Sequence, residues 1–158
     1  LLDRFAEVLV FANDRLAQMS SGRYELLRVD DEAGSAGRRD RGLGLGVIDR
    51  FSPGGVRDPK TLSGGETFYV SLALALALAD VVTAESGGVA METLFVDEGF
   101  GSLDPETLQA VLAELGRLQA GGRTVGIVSH VEELRRQIPD RIEVARAPSG
   151  STLRITAS

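Results

Sequence analysis

The chain has no cysteine, which excludes a disulfide framework and any thiolate metal site. It has one lysine, Lys60, so nearly all its basic charge is arginine. The loop that cradles nucleotide phosphates needs Gly, four residues, Gly-Lys and then Ser or Thr. Lys60-Thr61 is the one Lys-Thr pair, and Pro59 stands where that loop needs glycine, so the chain has no such loop. Positive charge is also short: 17 basic residues against 23 acidic ones leave a net charge of −6. That excludes a surface built as a whole to neutralise nucleic-acid phosphates, although a local basic stripe is still allowed. No apolar run reaches the roughly 20 residues of a membrane span. The longest runs from Phe68 to Ala79, is interrupted at Ser71 and ends at Asp80. The N-terminus lacks the basic start and cleavage site of a signal peptide. Together these absences imply a cytoplasmic protein without a membrane partner.

What is present is ordinary for a globular domain. Hydrophobic residues make up 43 % and charged residues 25 % of the 158, enough for one real core. The chain begins in helical sequence without an initiator methionine, as a piece of a longer protein would. In the first 19 residues Leu2, Phe5, Leu9, Ala12 and Leu16 recur at three- and four-residue steps between charged residues. This predicts a helix ended by Ser20, Ser21 and Gly22. Residues 23–30 and 43–51 read as strands, joined by a polar, Gly-rich stretch over 31–42 expected to be a mobile hairpin loop.

Residues 65–83 set leucine and alanine in alternation. Both are apolar and both favour helix, so the alternation divides no wet face from a dry one, and the run is too long for a strand. A buried helix is expected. Residues 93–97 and 123–129 read as short buried strands, 105–119 as a helix capped by Asp104 with Pro105 in its first turn, and 131–137 as a short helix. Residues 142–145 and 152–156 form a closing hairpin around Pro148, Ser149 and Gly150. Strand, helix, strand, helix is the rhythm of an α/β domain with parallel strands.

Four segments carry candidate chemistry. Leu94-Phe95-Val96-Asp97-Glu98 is an apolar strand ending in two carboxylates, at the sheet edge where open α/β folds bind ligands. Neighbours on a strand point opposite ways, so one carboxylate could serve a metal and the other a water. By itself this reads better as an ordinary strand followed by an acidic turn. Ser63-Gly64-Gly65-Glu66 has the spacing of a capping box. That accounts for Ser63 and Glu66 but not for two first-turn glycines, each costing about 1 kcal/mol relative to alanine. Glycines there fit a ligand approaching the backbone at a helix N-terminus, where anions bind. Ser102, Leu103 and Asp104 follow a Gly-Phe-Gly turn and could be no more than a turn and an N-cap. His130, the only histidine, stands just after the last buried strand.

In order and spacing the four resemble the ABC-type ATPases: signature over 62–66, Walker B over 94–98, D-loop over 102–104 and switch histidine at 130. The run Asp97-Glu98-Gly99-Phe100-Gly101-Ser102-Leu103-Asp104, the opening segment from Ala12-Asn13 to Ser21-Gly22-Arg23-Tyr24, and the loop from Gly54 and Gly55 narrow the resemblance. They are similar to the bacterial SbcC family of DNA-repair ATPases, and the similarity covers nearly the whole chain.

The resemblance implies the C-terminal lobe of an α/β ABC-type head: mainly parallel core strands with flanking helices, small antiparallel hairpins and an N-terminal helix from a coiled coil. Residues 1–22 would end the coiled coil and 23–158 would form the lobe. The cofactors implied are ATP and Mg²⁺. Asp97 would hold Mg²⁺ through water, Glu98 would activate the attacking water and His130 would contact the γ-phosphate. Ser63, Gly64, Gly65 and Glu66 would form the signature that meets ATP held by a second head, and Ser102 and Asp104 would form the loop reaching that head. The partners implied are an N-terminal lobe of the same protein carrying the missing phosphate loop, a second head, an SbcD-like nuclease subunit and DNA. The chain alone would be inactive. The alternatives are a head lobe of another SMC- or ABC-type ATPase, or a non-catalytic binding module.

Overall fold

A computed structural model describes residues 2–29, 44–85 and 92–157, with side chains from Arg4 onward. The expected loop over 31–42, with Arg38, Arg39 and Arg41, lies outside the described residues, as do Leu43 and the side chain of Leu2.

Helix α1 spans Leu2–Met19. Its periodic stripe is its core face: Leu9, Ala12, Leu16 and Met19 are buried and Phe5 is partly so. Ser21 and Gly22, both with positive φ, turn the chain into strand β1 (Tyr24–Arg28), which pairs antiparallel with β2 (Leu45–Asp49). Asn13 fixes the helix to this hairpin. Its side-chain amide donates to the Leu26 carbonyl at 2.8 Å and accepts from the Leu26 N–H at 2.8 Å, so one residue imitates a strand's edge.

Helix α2 (Gly64–Glu85) is the central element. Its mean hydropathy reaches 1.8, and by length and composition alone it could cross a membrane. Here it is a core helix instead. Val70, Ala73, Leu76, Ala77 and Val81 recur at helical spacing and are buried with Leu9, Leu16 and Val111.

Strand β3 (Thr93–Asp97) pairs in parallel with β4 (Thr124–Val128), Asp97 lying opposite Val128. Helix α3 (Pro105–Ala120) crosses between them, as parallel pairing requires. The chain then passes through α4 (Glu132–Gln137) into a hairpin of β5 (Arg141–Ala147) and β6 (Gly150–Thr156). Parallel pairing among the described residues is confined to β3 and β4.

The expectation that these two strands are buried is met only in part. Phe95 is 73 % exposed and Val128 51 %. Val96 packs into the core, whereas the opposite face of the pair is bare.

A charge cluster ties the helices together. Arg15 of α1 donates to Asp80 of α2 and, at 2.8 Å, to Glu114 of α3. Arg123, just before β4, donates to Asp80 at 2.7 Å, and Arg117 to Glu114 at 2.9 Å. Glu114 is almost wholly buried, and its two arginines make that burial tolerable.

Candidate functional site

Ser63 and Glu66 form the expected capping box. The Ser63 N–H donates to Glu66 Oε2 at 2.8 Å, and the Glu66 N–H donates to Ser63 Oγ at 3.3 Å. Sequence spacing could not reveal Glu66's other partners. The buried Tyr24 donates its hydroxyl to Glu66 Oε1 at 2.7 Å, and the Arg23 guanidinium lies 4.0 Å away. Arg23 also sits over the Tyr24 ring, 4.8 Å from its centroid. Burial pushes the Glu66 carboxyl up, but the Ser63 N–H, the Tyr24 hydroxyl, the Ser63 hydroxyl and Arg23 outweigh it and hold the group below its ordinary value. The same burial and the Glu66 bond push the Tyr24 hydroxyl up, so it remains a donor. Glu66 is therefore an anion fixed on four groups, and its task is to hold the loop before α2 in place.

The two glycines part company. A methyl group on Gly65 would come within 2.7 Å of the Ser102 carbonyl oxygen, so internal packing alone demands glycine there. Gly64 has open space beside it, with Ser102 Cβ the nearest atom at 3.9 Å. Only Gly64 keeps the argument that the backbone is left bare for a visitor. A cleft of about 410 Å³ runs along this side, lined by Ser63, Gly65, Glu66, Ser102, Asp104 and Arg23 among others. It brings the 63–66 and 102–104 segments together.

Asp104 caps α3 as expected. Its Oδ1 accepts from the Thr107 N–H at 2.9 Å and its Oδ2 from the Thr107 hydroxyl at 2.6 Å. These bonds hold its carboxyl below the ordinary range. Ser102 closes the preceding turn by donating its hydroxyl to the Gly99 carbonyl at 2.7 Å.

Strand alternation, expected from sequence to set Asp97 and Glu98 apart, does not govern Glu98, because β3 ends at Asp97. The φ of Glu98 is +57°, a left-handed conformation that costs a non-glycine residue about 1–2 kcal/mol. Its N–H still reaches the ladder, donating to the Val128 carbonyl at 2.9 Å. The turn swings the carboxylate toward His130, whose Nδ1 lies 3.1 Å from Glu98 Oε2. Both side chains are exposed, His130 by 82 % and Glu98 by 54 %. Two residues 32 apart in sequence thus share one hydrogen bond at the carboxyl edge of the parallel pair.

Asp97, the last residue of β3, is exposed, and its carboxylate is engaged by no hydrogen bond or ion pair among the described residues. Nor do those residues include a cluster of three metal-binding side chains. A free carboxylate with no cage around it fits Mg²⁺, which keeps several waters and takes one or two carboxylates together with substrate phosphates.

Comparison with known proteins gives concordant results. Residues 51–116 match a family model described as SbcC/RAD50-like, Walker B motif. The SbcC subunit of the SbcCD nuclease of Vibrio cholerae is 53 % identical over 149 residues, 94 % of this chain and 14 % of that protein. The corresponding subunit of Treponema pallidum is 44 % identical over 96 % of this chain and 14 % of its own length. The chain therefore spans about one seventh of these curated relatives. Among solved structures, one described as "Structural biochemistry of ATP-driven dimerization and DNA stimulated activation of SMC ATPases" matches with a TM-score of 0.70. It covers 97 % of this chain and 85 % of that one at 15 % identity. An Smc head domain with an extended coiled coil from Pyrococcus furiosus, bound to the C-terminal domain of ScpA, matches with a TM-score of 0.65. It covers 97 % of this chain and 35 % of that one at 18 % identity. At such identities these structures establish the fold alone: the α/β fold found in those head domains.

Proposed function

The chain belongs to the SbcC family, to which it is homologous along nearly its whole length, and on that premise we propose that it is the C-terminal half of an ATP-hydrolysing head. The observation that carries this reading is the Glu98–His130 pair, set beside a free Asp97 at the end of a parallel strand.

Phosphoryl transfer asks a protein for positioning and charge neutralisation more than for covalent chemistry. Asp97 would hold Mg²⁺ through water, and when bound the ion would neutralise charge on the phosphates. Glu98 orients the attacking water and accepts its proton, which its exposed carboxylate can do. His130 steadies the Glu98 carboxylate and presents its imidazole to the γ-phosphate. On the other side, Ser63, Gly64 and Gly65 offer a hydroxyl and first-turn amides to the γ-phosphate of an ATP held by a second head, a helix N-terminus being a natural anion site. Glu66 keeps that segment in shape, and Asp104 and Ser102 form the neighbouring rim.

Since the phosphate-gripping loop is absent from this chain, the nucleotide has to be held by an N-terminal lobe of the same protein. Residues 1–22 would then be the end of the coiled coil and 23–158 the lobe. Two such heads would close on ATP in the service of an SbcD-like nuclease acting on DNA in the cytoplasm. A non-catalytic module is the alternative for which the satisfied cap at Asp104 speaks, and Mg-ATP binding by the assembled lobes separates the two readings.

The test is Glu98→Gln in the complete subunit. ATP binding should stay within about threefold of the parent, and turnover should fall at least ~100-fold, the lower end of what a general base contributes. Turnover at the parent rate would remove Glu98 as the base.

A further inference from the structure

We propose that Phe68 is a positioning residue, whose ring holds the Glu98–Gly99 turn against the first turn of α2 and so ties the 63–65 segment to the base of the same chain. This rests on the reading of Glu98 as that base.

The turn after β3 contains two successive left-handed residues, Glu98 at φ +57° and Gly99 at φ +92°. A non-glycine residue stays in that region only where its surroundings over-determine it. One restraint is the Glu98 N–H, which donates to the Val128 carbonyl. The Ser102 hydroxyl, on the Gly99 carbonyl, is a second, and the Phe68 ring, which fills the space that a side chain on residue 99 would need, is a third. The same ring meets Phe100 edge-on, with centroids 5.0 Å apart and planes at 62°. Phe100 is 1 % exposed and cannot move aside without opening the core. One helical turn before Phe68, and so on the same face of α2, Gly65 lies against the Ser102 carbonyl. Residues 65 and 68 therefore grip the 99–102 turn at two points, and a shift in the first turn of α2 moves the backbone next to Glu98.

Filling the core does not by itself require this ring. Phe68 is only partly buried, and any large aliphatic side chain would cover Phe100. What an aliphatic side chain would lack is a flat face against Gly99. Loss of that face lets the Glu98 carboxylate wander, and a misplacement of about 1 Å can cost ~100-fold in rate. Nucleotide affinity, supplied by other groups, should not follow.

The experiment uses the complete subunit with its nuclease partner and compares Phe68→Leu, Phe68→Ala and Phe68→Tyr. Phe68→Leu should keep the parent's melting temperature within a few degrees and its KM for ATP within about twofold, while kcat falls roughly 10-fold or more. Phe68→Ala should fall further, and Phe68→Tyr, which keeps the ring, should retain most of kcat. ATP-driven pairing of heads, followed in a Glu98→Gln background, should survive Phe68→Leu. If Phe68→Leu turns over at the parent rate while Glu98→Gln does not, the positioning role is wrong and the ATPase reading stands. Parent-rate turnover by Glu98→Gln would overturn both. A Phe68→Leu variant whose KM rises in step with the loss of kcat would place Phe68 in nucleotide binding and overturn the proposal.

Discussion

Asp49 is the sharpest electrostatic commitment at the residue scale. It is 4 % exposed, and the Arg23 guanidinium grips it with two bonds of 3.1 and 2.9 Å. The Phe51 N–H donates to it at 3.0 Å and Arg57 stands 3.6 Å off. Removing one partner of a buried pair usually costs about 3–5 kcal/mol, because the other charge is left unpaired. Arg23 is itself 40 % exposed and Arg57 remains, so Arg23→Ala in the complete head should cost less, about 2 kcal/mol. Urea denaturation measures it. The bond from Arg23 holds the Asp49 carboxyl below the ordinary range, and Thr107 does the same for Asp104. Such groups add stability that is fully present above their unfolded pKa, about 3.9 for aspartate, and is lost as pH falls through the lower folded value. Acid unfolding of the parent should therefore steepen below about pH 4, and Arg23→Ala should show a shallower acid limb.

At the scale of elements, α2 shows why composition outweighed spacing. Its Leu-Ala alternation has a period of two, yet the helix sorts the leucines by angle: Leu72 and Leu76 are buried whereas Leu78 is 54 % exposed. Leu76→Ala should cost about 2–5 kcal/mol and Leu78→Ala well under half of that, as measured by parallel thermal unfolding. Elements whose signals are local were legible in this way: the capping box at Ser63 and Glu66, the Asp104–Pro105 start of α3, and β3, whose observed bounds match those expected. What was not legible depends on residues far along the chain. The left-handed turn at Glu98 needs the Val128 carbonyl and the Phe68 ring. The requirement for glycine at 65 comes from Ser102, and the third hold on Glu66 comes from Tyr24, 42 residues away. Residue type at 63–66 credits both glycines to a ligand, whereas packing against the Ser102 carbonyl already requires glycine at 65.

At the scale of the whole molecule, bare apolar faces stand out on two of the strand pairs among the described residues. One is the outer side of β3 and β4, with Phe95 and Val128. The other lies on the closing hairpin, where Ile142 faces Ile155 and Val144 faces Leu153, each at least 65 % exposed. Parallel strands normally carry cover on both faces, and contiguous exposed apolar patches mark interaction surfaces. An N-terminal lobe is the cover that the proposed function supplies. Purified by itself, the chain should bind a hydrophobic dye and associate with rising concentration. Adding the N-terminal lobe should reduce dye binding severalfold and leave a defined complex on a sizing column. Unchanged dye binding in the mixture would show that these faces are not where the lobes meet.

Helix α1 is a rod of 18 residues, about 27 Å long at 1.5 Å per residue, pinned near its C-terminal end through Asn13 and Arg15. Arg15 and Arg4 fasten it to Asp80 and Glu85 in the last two turns of α2, whose opposite end sets Gly65 and Phe68 against the 99–102 turn. With Val8 and Leu9 buried as well, the two helices form one block, and a tilt of that block by about 10° about Asn13 would carry the start of α1 on the order of 3 Å. Mechanically the block is a lever whose short arm ends at Met19, in the lining of the cleft. Small displacements at the short arm emerge magnified at Leu2, and a load applied there returns to the short arm as a larger force over a smaller distance.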